Sequence, residues 1–263
     1  MRILTGTQFA RRFAIDAKAR NLAALAGMLL ATAAAASPTA QDEVMLSAAK
    51  AGNVALYRAM IKDGANYGTR DDSGNNAVVF AALSDSQDML REVLAHKLDL
   101  DARGSLGMTA LGIATAHNSM QAVERLLRAG ANPDIADASG VTPLASALRL
   151  GRPQLAARLL AAGADPRRAD AERTTPLHIA AELGDAQMTA ALLDHGADPN
   201  ALDLESRSAL FVALLNHHPQ IATILVQRGQ TDLRLLTQGY PPRHWARQMG
   251  YEDIARAIDE KLR

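Results

Sequence analysis

Residues 170–202 read DAERTTPLHIAAELGDAQMTAALLDHGADPNAL, and this stretch decides the fold. Thr175 is placed to cap a helix by accepting a free amide of its first turn. Pro176 follows at the first helical position, where its missing N–H costs nothing. Gly184 can end that helix in the left-handed conformation. Asp185 caps a second helix, whose Met188, Leu192 and Leu193 fall on one face. Gly196 closes the second helix, and Ala197-Asp198-Pro199-Asn200 leads into a turn. The reading is a helix–turn–helix hairpin 33 residues long.

The same unit recurs on both sides. Ala48, Ala81, Ala114, Ala147, Ala180, Ala213 and Ala246 are spaced by 33 residues. Thr109, Thr142, Thr175 and Ser208 keep that step, as do Gly64, Gly130, Gly163, Gly196 and Gly229. Leu126-Leu127, Leu159-Leu160 and Leu192-Leu193 repeat in phase. A fixed period of this length is the mark of a repeat array. The copies run 38–70, 71–103, 104–136, 137–169, 170–202, 203–235 and 236–263, the last a capping copy. Ordering 33 residues costs roughly 50 kcal/mol at about 1.5 kcal/mol each. One hairpin cannot offset that alone, so the hairpins must stack.

T-P-L-H-x-A-A followed by L-L-x-x-G-A-D-x-N resembles the ankyrin repeat, across about residues 38 to 263. The resemblance implies an all-α solenoid of stacked helix-turn-helix units joined by short β-turn or hairpin loops. Departures are local. Lys97 replaces the loop glycine, while Asp85, Asn118 and His217 replace the glycine between helices; Asn and Asp tolerate positive φ, and His somewhat. The copy at 71–103 is expected to be the least well ordered. Asp259 stands where other copies have Leu or Ile, which suits a cap facing water.

The first 36 residues do not fit the period. Arg2, Arg11, Arg12, Lys18 and Arg20 face one acid, Asp16, and lead into the apolar run Leu22–Ala36. Fifteen residues are short of the ~20 that a membrane span needs. A basic lead, a short apolar run and a small-residue end predict a signal peptide, 1–36, cleaved after Ala36 or alternatively after Ala40. Arg11-Arg12 invites a twin-arginine reading, but Phe13-Ala14-Ile15-Asp16 fits it badly. An uncleaved anchor is the alternative. The expected location is periplasmic or secreted. The full chain has 28 basic and 28 acidic residues. Removing five basic and one acidic residue leaves 23 against 27, net −4, which argues against a nucleic-acid binder. There is no cysteine, which excludes disulfides, Cys-ligated zinc and a thiol nucleophile.

Catalytic and metal motifs fail one by one. Ser47-Ala48-Ala49-Lys50 matches S-x-x-K, but its companions S-D-N and K-T-G are missing. Arg70–Asn76 has a faint calcium-loop look without the twelve-residue pattern or closing Glu, and reads as a turn. His178 is the H of T-P-L-H, to which the resemblance gives structural hydrogen bonds. His217-His218, being adjacent, cannot aim at one ion as an i, i+4 pair would. No cofactor is expected.

The resemblance implies binding through turn tips and the inner face of the first helices. Carried onto this chain, that gives Arg70, Arg103, Leu106, Met108, His117, Val141, Arg149, Leu150, Glu172, Glu182, Glu205 and Arg207 as partner-binding residues. Leu106, Met108, Val141 and Leu150 would form an apolar centre, with arginines mainly on its N-terminal side and Glu172, Glu182 and Glu205 toward the C-terminus. The expected function is a non-catalytic, monomeric module that binds a protein partner in its concave groove, with no nucleic acid and no stable membrane insertion after cleavage. A secreted effector that binds a host protein is the alternative, and an enzyme with an unrecognised site the remote one.

Overall fold

The computed structural model describes residues 38–228 and 230–263. The expected signal peptide at 1–36 lies outside the described residues. Among these, fourteen α-helices follow in seven pairs and form an all-α solenoid. The pairs are α1 (Pro38–Lys50) with α2 (Val54–Lys62), α3 (Ala77–Leu83) with α4 (Gln87–Leu94), and α5 (Ala110–Ala116) with α6 (Met120–Arg128). Then come α7 (Pro143–Arg149) with α8 (Pro153–Ala161) and α9 (Pro176–Leu183) with α10 (Ala186–Asp194). Last are α11 (Ala209–Leu215) with α12 (Pro219–Gln227) and α13 (Pro242–Gln248) with α14 (Glu252–Lys261).

First helices pack against first helices of the neighbouring pairs, and second against second, along the whole row. The seven periodic alanines sit at these first-helix seams, each at most 1% exposed. A methyl group there lets the helices approach closely, and a larger side chain would force them apart.

Each hairpin is punctuated in the same way. The hydroxyls of Thr109, Thr142, Thr175 and Ser208 accept the amides of Gly112, Ala145, His178 and Phe211 at 3.2–3.4 Å. In the copy at 71–103 the capping role falls to Asn76, whose Oδ1 accepts from Val78 at 3.1 Å and Val79 at 3.0 Å. Between helices the chain turns through the left-handed region at Gly52, Asp85, Asn118, Gly151, Gly184, His217 and Gly250, all in one register. Asp85, Asn118 and His217 thus adopt the conformation expected of them. After the second helix, Gly64, Gly130, Gly163 and Gly196 are left-handed too. There the next amide reaches back to the helix, as in Ala197 N–H to the Leu192 carbonyl at 2.9 Å. Lys97 stays out of that region, and the Leu98 N–H bonds to the His96 carbonyl instead. A side chain at Lys97 makes the left-handed closure costly, so this helix end closes differently.

The two ends differ from the middle. In the first copy Asn53 caps α2 by accepting the Leu56 amide at 3.1 Å, and α1 runs 13 residues, where the later first helices have seven or eight. At the other end Asp259 is paired with Arg247 at 2.5 Å and Arg243 at 3.7 Å. Trp245 packs edge-on against Phe211 and donates from Nε1 to the Thr237 carbonyl at 3.1 Å.

Candidate functional site

The turns between pairs are held by one device. Asp137, Asp170 and Asp203 each accept two backbone amides of their own turn through Oδ1, at 2.8–3.0 Å. Asp71 does the same for Ser73 and Asn75, which explains the calcium-like stretch at 70–76: its carboxylate is occupied by its own backbone. Successive turns are then tied together. Ala138 N–H donates to the Leu106 carbonyl at 3.0 Å, Ala171 N–H to that of Ser139 at 3.3 Å, and Leu204 N–H to that of Glu172 at 3.1 Å. Rigid turn tips on one side and the C-terminal ends of the first helices on the other bound a groove.

A recess of about 610 Å³ lies in this groove between the copies at 137–169, 170–202 and 203–235. Five of the twelve expected binding residues line it: Val141, Arg149, Glu172, Glu182 and Arg207. Its charge is structured. Arg149 pairs with Asp170 of the next copy, whose side chain is 5% exposed. Arg207 pairs through Nε with Asp203 at 2.7 Å, a side chain 3% exposed, and also with Glu205. Burial pushes the Asp203 carboxyl up, but the Arg207 N–H and guanidinium outweigh this and hold it below the usual carboxylate range. Glu172 and Glu182 have no ion-pair partner among the described residues.

His178 forms the floor. Its Nε2 donates to the Arg207 carbonyl at 3.0 Å, since a carbonyl can only accept. That tautomer leaves Nδ1 to accept from the Thr175 hydroxyl at 2.8 Å and the Thr175 N–H at 3.3 Å. Burial lowers the His178 pKa, partly opposed by the bond to Arg207. The ring therefore joins two copies in its neutral form. His218 links the same two copies through Nε2 and the Glu182 carbonyl at 3.0 Å, whereas His217 reaches the Tyr251 hydroxyl at 2.9 Å in the last copy. The adjacent histidines thus serve different seams. Among the described residues no group of histidines and carboxylates converges as a metal site.

The other expected residues lie elsewhere. Leu150 is 47% exposed beside Arg149, and Leu106 is 79% exposed on its turn tip. Met108 and Val141 are half-buried against the core, so the apolar centre is narrower than the sequence implied. Arg70 pairs with Asp99 at 2.5 Å, away from the recess. Arg103 and His117 are exposed in the N-terminal half and do not line the recess. Leu183 and Leu215, first-helix positions outside the twelve, are 53% and 44% exposed. With Leu150 they form a row along the ends of α7, α9 and α11. The signal was present as leucine at variable first-helix ends, but nothing in the sequence separated these leucines from inward-turned ones.

A family model described as ankyrin repeats (three copies) matches residues 44–137, 94–170, 113–203, 153–235 and 177–261. Among solved structures, a chain from the complex of a predatory endopeptidase of Bdellovibrio bacteriovorus with an immunity protein is similar at a TM-score of 0.60 and 25% identity. The match covers 70% of this chain and 97% of that one. No protein among the curated sequences matches the chain.

Proposed function

The chain belongs to the ankyrin-repeat family, and from that premise we propose that it is a non-catalytic, monomeric module, exported to the periplasm, that holds a protein partner in its groove. The observation that carries this reading is the row Leu150, Leu183 and Leu215 beside the recess. Three large apolar side chains left in water on three successive copies, with a polar rim, have the composition of a protein contact. The turn tips behind them are fixed by side-chain and backbone bonds, so little ordering is needed on binding.

Export rests on the basic lead and the apolar run Leu22–Ala36. Cell fractionation with N-terminal sequencing tests it: the mature chain should begin near Ser37 in the periplasmic fraction, and an intact Met1 in the cytosol would refute it. Binding is tested by crosslinking in the native compartment followed by mass spectrometry. A specific protein adduct should disappear in the Leu106→Asp, Leu150→Asp double variant; an undiminished adduct would move the site off the groove.

The likeness to a chain from an endopeptidase–immunity protein complex supports a narrower reading, in which the partner is a peptidase that this chain restrains. The crosslinked partner would then be a peptidase, and its activity would fall when the purified chain is added.

A further inference from the structure

We propose that the groove selects a partner segment carrying arginine or lysine among aliphatic side chains, with the cation seated against Glu172 and Glu182; this rests on the groove being the binding face. Four carboxylates line the recess, Asp170, Glu172, Glu182 and Asp203, against two guanidinium groups, Arg149 and Arg207, so 2 − 4 gives −2. The two arginines are already held by the buried Asp170 and Asp203, and Glu205 draws on Arg207 as well. What faces an incoming chain is therefore the pair of exposed glutamates. Arg173, the exposed cation next to Glu172 on the same turn tip, does not line the recess.

The apolar surroundings fit the same occupant. Val141 and Leu215 line the recess, and the methylene stem of a lysine or arginine can lie on such groups while its head meets a carboxylate. Leu150 and Leu183 do not line the recess and would take the aliphatic neighbours. Neighbouring helices pack about 8–10 Å apart, close to the roughly 10.5 Å of two helical turns. Aliphatic residues every seven positions on a helix would therefore meet Leu150 and Leu183, which hold the same position in successive copies. An acidic segment in the same place would bring like charges together, which disfavours binding.

The test is fluorescence anisotropy of the purified chain with two labelled helical peptides. Both carry leucine at every seventh position; one has arginine at the flanking positions and its twin has glutamate. The arginine peptide should bind at least about tenfold more tightly, and should weaken when salt is raised from about 0.05 to about 0.5 M. Glu172→Gln with Glu182→Gln should erase the preference without changing the thermal unfolding of the chain. Equal affinities, a preference for the glutamate peptide, binding of neither, or a preference that survives both substitutions would overturn the proposal. None of these outcomes touches the groove assignment itself, which stands or falls on the native crosslink in the Leu106→Asp, Leu150→Asp variant.

Discussion

The copies at 170–202 and 71–103 reach the same hairpin by different routes. In the first, Thr175, Pro176, His178 and Gly184 set the helix ends, and His178 reaches across to the next copy. In the second, Asn76 caps α3 and also donates from Nδ2 to the Asp99 carbonyl at 2.7 Å, Asp85 takes the left-handed turn, and Lys97 gives up the usual closure. What the two share is the buried alanine at the seam and the apolar face behind it. The seam is thus what the stack requires, and the punctuation is negotiable so long as each helix end finds a partner.

Substitutions in the two copies can break this comparison. Leu177, fully buried in α9, should lose roughly 2–5 kcal/mol on Leu177→Ala. Its counterpart Val78→Ala should cost about 2 kcal/mol, since fewer carbons are removed; urea unfolding of each variant measures both. Gly184→Ala comes next. A Cβ there would lie 2.7 Å from the His218 ring, at φ +73°, and the cost should be about 1–3 kcal/mol.

The caps give a finer contrast. Thr175→Ala should lose about 1 kcal/mol, and Asn76→Ala up to about 2 kcal/mol, because Asn76 serves two amides and a carbonyl. Equal losses would mean that the Asp99 bond contributes no more than the bond from the Thr175 hydroxyl to His178. Asp85→Gly should change stability in the opposite direction to Gly184→Ala. It relieves a left-handed residue at φ 51° and should gain less than about 1 kcal/mol, because glycine also loosens the unfolded chain.

The smallest effect is a pH slope. His178 has a lowered pKa in the folded state, so its contribution is fully present above the unfolded value of about 6.5. It is lost as pH falls from there toward the folded value, because only the unfolded chain takes up the proton. The melting temperature should therefore drop between about pH 7 and pH 5.5, and His178→Gln should flatten that part of the slope.

The period, the caps at Thr109, Thr142, Thr175 and Ser208, and the left-handed Asp85, Asn118 and His217 were legible because each answers a backbone demand that recurs every 33 residues. Asn76 stands one 33-residue step before Thr109 and keeps the cap register, although Asn75-Asn76 by itself reads as loop. The site was harder to read. Arg149 and Asp170 stand 21 residues apart in different copies, so their pairing depends on stacking and turns an expected partner contact into an internal one. Arg70 is tied up in the same way by Asp99 of the next copy, whereas Arg207 is held within its own turn by Asp203. The polar half of His178 was visible in T-P-L-H, whereas its Arg207 partner is a backbone carbonyl with no sequence signature.

The central claim is that the groove side of the stack, and not the outer helices, meets the partner. A photo-crosslinking amino acid placed at Leu150, and separately at Arg128 on the exposed face of α6, tests it in the native compartment. A specific protein adduct is expected from position 150 and none from position 128. An adduct from 128 with none from 150 would contradict it.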